Sequence, residues 1–531
     1  MVRSIQTGER GRVQDRVVVI GAGIGGLASA ALLAARGMDV TLVEKEEMVG
    51  GKARRVEVDG RAIDAGPTVF TMREVFDDIF QACGAELDDF VSVRRADILA
   101  RHAWSGDAHL DLHADPQRSE DAIGDFAGAD AAKGYRAFSK HTREMYETLE
   151  STFLKAGHAR TPLPLVWRIG PTRLRAQMSI RPFQKMWSAL GRFFPDPRLR
   201  QLFGRYATYC GSSPFDAPAT LMLIAHVEAR GVWLIEGGMQ ALAEAMRNLA
   251  EGQGAKVRTG EAVARIEIAE GKASGVILES GERIAATQVV CNADPSAIGS
   301  GLFGEDAARA VPAVPPAKRS LSAYVWLAHA ETSGFPLARH NVLFSPDYPA
   351  EFADISAGRT PQDPTAYVCA QNRDACDGAA PYSRERLQII VNAPATGDRR
   401  AATPEEMDRC TSAMRRSLER CGLSLEQDMP HRLVTPDQWE RLFPSTGGAL
   451  YGRASHGWAA SFRRQGPRTR IPGLYCAGGA THPGAGVPMA ALSGQLAART
   501  LMSDRASMSR SHPVATNGGM SMPSARTSAT G

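Results

Sequence analysis

The segment that most restricts how this chain can fold is Gly21-Ala22-Gly23-Ile24-Gly25-Gly26, a match to G-x-G-x-x-G. Such a match is weak alone, so its flanks decide its meaning. Val17 to Ile20 is a β-branched run suited to a buried strand, and Leu27 to Ala35 is rich in Ala and Leu, as a helix prefers. In a strand-turn-helix unit Gly21 makes the tight turn, Gly23 lets backbone approach a pyrophosphate, and Gly26 permits close helix-strand contact. The helix N-terminus, with Ala22 and Gly25 in its approach, then faces the phosphates. Val17 to Ala35 carries no charge and follows Arg3, Arg10, Arg12 and Arg16, which imitates a signal peptide or a membrane span. Four glycines in one turn argue against both, so residues 1–16 read as a loose leader and no cleaved signal is expected.

Gly37 ends the helix, Asp39 to Val43 reads as a second strand, and Glu44 follows it with Lys45. An acid at that distance accepts from ribose hydroxyls and repels a 2′-phosphate. Gly50-Gly51 comes next, with Lys52, Arg54 and Arg55 available for phosphate charge. No second G-x-G-x-x-G opens a helix, and the eight cysteines include no C-x-x-C or paired metal-ligand spacing. A reductase that relays electrons from NAD(P)H through a disulfide is therefore not expected, nor is a metal site. One tightly held cofactor that does the redox chemistry itself fits better, which means FAD. Near the far end, Gly473 to Ala477 reads as a strand, and a glycine-rich turn from Gly478 to Pro488 leads into a helix over Met489 to Leu501. That helix either aims its positive end at the flavin pyrimidine edge or simply starts a core helix.

At 531 residues two or three domains are expected. Helical spacing follows Gly237-Gly238, and Val263 to Ile268, Ala273 to Leu278 and Arg283 to Ala286 form a three-stranded meander. The fold class is thus α/β: a Rossmann-type FAD-binding domain, discontinuous over 17–100, 237–300 and 470–502. An α+β substrate domain is inserted over 101–150 and 301–469. Residues 151–236 are a helical, membrane-associating part, and 503–531, with no apolar period, a disordered tail. Between Lys155 and Arg205 eleven basic residues face one acid, Asp196, a block of +10 in a chain whose net charge is only +4. Apolar residues interleave at helical spacing: Phe183, Met186, Trp187, Leu190, Phe193 and Phe194, then Leu199, Leu202, Phe203 and Tyr206. Basic amphipathic helices with Trp and Phe suit an anionic membrane surface entered from one side. The competing readings are a helix packed on the protein's own acidic surface and a nucleic-acid contact; no nucleic-acid fold signature accompanies the patch.

Val18 to Gly51, Asp64-Ala65-Gly66-Pro67-Thr68 and the Thr481-His482-Pro483-Gly484-Ala485-Gly486 core resemble the bacterial carotenoid desaturases related to phytoene desaturase. Ala100 to Trp104, Leu110 to His113 and Tyr209 to Phe215 look most like the hydroxyneurosporene desaturase, or methoxyneurosporene dehydrogenase, branch. The resemblance implies FAD-dependent desaturation of C3–C4 in a 1-hydroxy- or 1-methoxy-carotenoid, by a monotopic enzyme at the cytoplasmic face of a membrane, with oxygen or quinone as final acceptor. It implies that Gly21, Gly23 and Gly26 hold the pyrophosphate and Glu44 the ribose. Gly51, Lys52, Pro67 and Thr68 would lie near the cofactor, Val263 would touch adenine through its backbone, and Gly479, Val487 and Met489 would border the isoalloxazine.

Loss of an allylic hydride to flavin leaves a cation spread along the polyene, and the neighbouring C–H then needs no strong base. No catalytic residue is assigned on that ground. His482 is either an acid/base beside the flavin or a structural hydrogen-bonder, and Asp64 either a base or a turn cap. A phytoene desaturase or a carotenoid isomerase on the same scaffold, and an FAD amine oxidase, are the alternatives.

Overall fold

The computed structural model describes residues 15–373 and 383–510. The expected leader, residue 15 onward excepted, and the tail beyond 510 lie outside them.

Alternation of β-branched residues with small turns produces five parallel strands from three distant stretches of chain. Strand β1 (Arg16–Ile20) runs into helix α1 (Ile24–Ala34), then β2 (Asp39–Val43). Much later come helix α2 (Gly238–Gly252), β3 (Lys256–Arg258) and β4 (Gln288–Cys291), and last β5 (Leu474–Cys476) and helix α3 (Val487–Arg510). The sheet order is β5-β4-β1-β2-β3. Register is set pairwise, Val18 against Val289 on one side and Thr41 on the other. Helix α1 is buried on nearly all sides, as its even Ala/Leu composition requires. It crosses α3 so closely that a Cβ on Gly494 would lie 2.3 Å from the Gly25 carbonyl. Ser29 Oγ lies between the two helices, its one hydrogen shared by the carbonyls of Gly25 at 2.9 Å and Gly494 at 3.1 Å. The meander forms as a separate antiparallel sheet of Val263–Ala269, Lys272–Leu278 and Arg283–Ala285.

A larger mixed sheet is built around Ser322–Gly334 and Arg384–Ala393, with Ala366–Ala370 and His340–Leu343 continuing it to Ile98–Ser105 and Ala108–His113. Period-two alternation is visible in Arg384–Ala393: Leu387, Ile389 and Val391 enter an apolar core while Gln388, Ile390 and Asn392 line a cavity.

Two expectations are corrected. Ser503 to Arg510 continues helix α3 and does not begin a tail. The apolar residues expected to face lipid mostly face the protein: Met186, Leu190, Phe194, Leu199, Leu202, Phe203 and Tyr206 are buried. They meet the helix Ala129–Leu149, where Phe138 lies 4.7 Å from Phe203 and 5.3 Å from Phe194, ring to ring. An apolar stripe opposite an apolar stripe buries both, so the helical layer already begins with this helix, before residue 151. Left exposed are Leu163, Trp167, Met178 and Phe183, at 66%, 73%, 68% and 79%.

Candidate functional site

The loop between β1 and α1 takes the conformation its glycines allow. Gly21 has φ +92°, and Gly26 presses so close to it that a Cβ would lie 2.0 Å from the Gly21 carbonyl. At Gly23 and Gly25 a Cβ would lie 2.7 Å from the Asn292 amide. Ala22 N–H donates to Glu44 Oε2 at 2.7 Å and Glu46 N–H to Glu44 Oε1 at 3.0 Å. Glu44, though buried, is thus held by backbone with lone pairs to spare. Gly50 N–H donates to the Ala22 carbonyl at 2.8 Å and brings the second glycine pair against the first.

These residues border one cavity of about 930 Å³. Gly21, Gly23, Gly25, Glu44, Lys45, Gly51 and Lys52 line it; so do Pro67, Thr68, Val263, Gly479, Val487 and Met489. Ala22 and Gly26 stand just behind the lining. Lys52 Nζ donates to the Leu450 carbonyl at 2.6 Å and lies 5.1 Å from the Phe443 ring centre. Burial lowers its pKa, with Asp294 opposing and Arg464 reinforcing that shift. Lys45 is more exposed and contacts the Arg441 carbonyl and Glu46. The same cavity continues between Leu149, Phe153, Leu221, Leu223, Ile224 and Val227 of the helical layer.

Sequence reading missed several residues here. Asn292 Oδ1 and Asp294 Oδ2 are buried at the wall and have no hydrogen-bond partner among the described residues. Acceptors so placed fit a ligand rich in hydroxyls, such as the ribose and ribityl chain of FAD. Arg464 is buried and donates to the carbonyls of Tyr451 at 3.0 Å and Gly479 at 3.3 Å. Its only sequence signal is a charge in an otherwise ordinary loop. Deeper in the wall Thr68 Oγ1 and Tyr367 OH are 2.6 Å apart, and Tyr367 OH is 2.8 Å from His340 Nδ1.

The two ambiguous side chains are also placed. Asp64 Oδ2 accepts from Met239 N–H at 2.8 Å at the start of α2, and burial raises its pKa. His482 is buried away from the cavity lining; Nε2 lies 3.2 Å from the Ala156 carbonyl, and the ring packs on Phe153 and His158. Burial first, then His158, lowers its pKa to about 4.

Residues 24–502 match the family described as flavin containing amine oxidoreductase. The chain is 52% identical to a hydroxyneurosporene desaturase of Rubrivivax gelatinosus over 96% of its own length and 98% of that protein's. It is 44% identical to a hydroxyneurosporene desaturase of Cereibacter sphaeroides, covering 94% of this chain and 100% of the other. Among solved structures, wild-type putrescine oxidase bound to putrescine superposes with a TM-score of 0.55 at 16% identity, over 92% of this chain and 99% of that one. That likeness concerns the fold alone.

Proposed function

The chain belongs to the flavin containing amine oxidoreductase family and, within it, to the carotenoid desaturases; from that premise we propose that it introduces a C3–C4 double bond into a 1-hydroxy- or 1-methoxy-carotenoid of the hydroxyneurosporene type. FAD is its cofactor and, when bound, would supply the two-electron acceptor for the hydrogen lost from the carbon beside the polyene. The single observation that supports the reading most is the cavity that joins the glycine loop to apolar helices. A substrate of either kind must reach the cofactor, but a long hydrocarbon also needs the extended apolar wall of Leu149, Phe153, Leu221, Leu223, Ile224 and Val227, which a small polar amine does not.

The chain's own residues bind, orient and exclude water. The glycine loop and the α1 N-terminus receive the pyrophosphate, Glu44 the ribose, and the Val263 backbone the adenine. Pro67, Thr68, Gly479, Val487 and Met489 border the flavin ring. The larger sheet and the helical layer form the substrate part inserted into the nucleotide domain, and their apolar walls keep water from a cationic polyene.

The substrate lives in lipid, and the exposed set Leu163, Trp167, Met178 and Phe183 with Arg160, Arg168 and Arg173 supports a one-sided membrane contact. Among the described residues no helix is long and apolar enough to cross a membrane. This surface adjoins the cavity: Thr220, in its lining, donates to the Ile180 carbonyl at 2.6 Å. Electrons leave to oxygen or a quinone.

The test is conversion of hydroxyneurosporene by protein reconstituted in lipid, followed by visible spectrum and mass. A red shift with loss of two hydrogens is expected. An isomer of unchanged mass and chromophore length would replace desaturation with isomerisation.

A further inference from the structure

Three branch-like stretches lie far apart in sequence, Ala100–Trp104, Leu110–His113 and Tyr209–Phe215. In the fold they converge on Arg205. His102 Nδ1 is 3.2 Å from the Leu110 carbonyl, and its Nε2 accepts from Arg205 Nε at 3.0 Å. Arg205 Nη1 donates to the Tyr209 hydroxyl at 2.5 Å, and Nη2 to Glu228 Oε2 at 3.0 Å. Tyr209 OH donates to Glu228 Oε1 at 3.0 Å, and Tyr206 OH donates to the same carboxylate. Arg205 and Glu228 are 3% and 2% exposed, yet both line the cavity with Tyr209.

A buried ion pair loses the hydration of both ions, and a hydrocarbon ligand gives nothing back. Aliphatic side chains would serve a polyene better at this wall. The arrangement makes sense for a ligand that brings oxygen to it. In a 1-hydroxy-carotenoid the oxygen-bearing C1 is two bonds from C3, so the oxygen must bind near the reacting bond. Tyr209 is suitably placed: it is followed by Cys210 and Gly211, and Gly211 packs against the Tyr451 ring. The Tyr451 carbonyl shares Arg464 with that of Gly479, at the proposed flavin edge.

Burial keeps the Tyr209 phenol protonated, and its one hydrogen goes to Glu228. One lone pair takes the Arg205 N–H, which leaves a second as a free acceptor. We propose that Tyr209, held by Arg205 and Glu228 as positioning residues, accepts a hydrogen bond from the C1 hydroxyl of the substrate and makes the enzyme prefer a 1-hydroxy- to a 1-methoxy-carotenoid. An ether oxygen has no hydrogen to give and meets a phenol whose hydrogen is already used.

This inference rests on the desaturase reading. The experiment uses FAD-loaded enzyme in vesicles with a 1-hydroxy-carotenoid, its 1-methoxy ether and the hydrocarbon lacking C1 oxygen, the last two measured also as competitive inhibitors. The unaltered enzyme is expected to favour the hydroxy compound about tenfold over the ether, the worth of one hydrogen bond. Tyr209→Phe should reduce that ratio to about one, through KM more than kcat, with FAD content retained. Glu228→Gln, which loosens the hold on the phenol, should narrow it in the same direction. An unchanged ratio in Tyr209→Phe, or an equal loss for all three ligands, would overturn the proposal. If nothing is converted but the hydroxy compound still binds best and Tyr209→Phe removes that advantage, the desaturase reading falls and this preference stands.

Discussion

At the scale of single residues, the glycine loop is where local sequence and final geometry agree best. Gly21, Gly23, Gly25 and Gly26 were readable because the need for each arises within a few residues of itself. Gly26→Ala would set a methyl 2.0 Å from the Gly21 carbonyl. Overpacking of this kind costs about 1–3 kcal/mol, so the variant is expected to retain about tenfold less FAD, measured by flavin absorbance per protein. Retention equal to the parent would remove Gly26 from the cofactor site. His482 was ambiguous in sequence because a histidine beside a proline-glycine turn carries no sign of which way its ring points. Its folded pKa of about 4 lies below the unfolded value of about 6.5, so the unfolded chain binds more protons between them. The stability it contributes is present above pH 6.5, declines as the pH falls, and is gone below pH 4. His482→Ala should therefore show a shallower fall in Tm from pH 7 to pH 5 than the parent, with turnover retained once FAD is bound. Loss of turnover with FAD and fold intact would return His482 to the chemistry. Asn292, Asp294 and the Arg205–Glu228 pair were not legible, since their meaning depends on what tertiary folding brings beside them.

At the scale of elements, periodicity was a reliable guide to type and a poor one to partner. The meander, β1, β2 and the helix after Gly238 follow the pattern read from sequence. The basic stretch does not follow the use read from it. Phe194 and Phe203 have the spacing of a lipid-facing helix, but the same spacing serves a core, and Phe138 supplies the core. Left outside are Leu163, Trp167, Met178 and Phe183, the last with the half-exposed Trp458 ring 5.5 Å away. Replacing both Trp167 and Phe183 with Ser removes two large exposed side chains, each worth about 1.5–3 kcal/mol when buried. Flotation with anionic liposomes is expected to fall at least tenfold, with partial loss also as salt rises in the parent. Flotation unchanged by the double replacement would place membrane contact elsewhere.

At the scale of the whole molecule, one nucleotide sheet is assembled from strands centred near residues 18, 41, 257, 290 and 475. Sequence marked each piece by its glycines, which is why the discontinuous plan was readable. The cavity between the parts was not, because no local pattern records that Leu149, Leu223 and Ile390 share a wall with Gly479. On the proposed function, that shared wall lets a hydrocarbon meet a redox cofactor away from water. An anaerobic incubation of FAD-loaded protein with excess 1-hydroxyneurosporene, without added acceptor, reads this meeting directly. One new conjugated double bond per bound FAD, seen as a red-shifted polyene with concurrent bleaching of the flavin band, is expected; an unshifted polyene beside an unbleached flavin would contradict desaturation at this site.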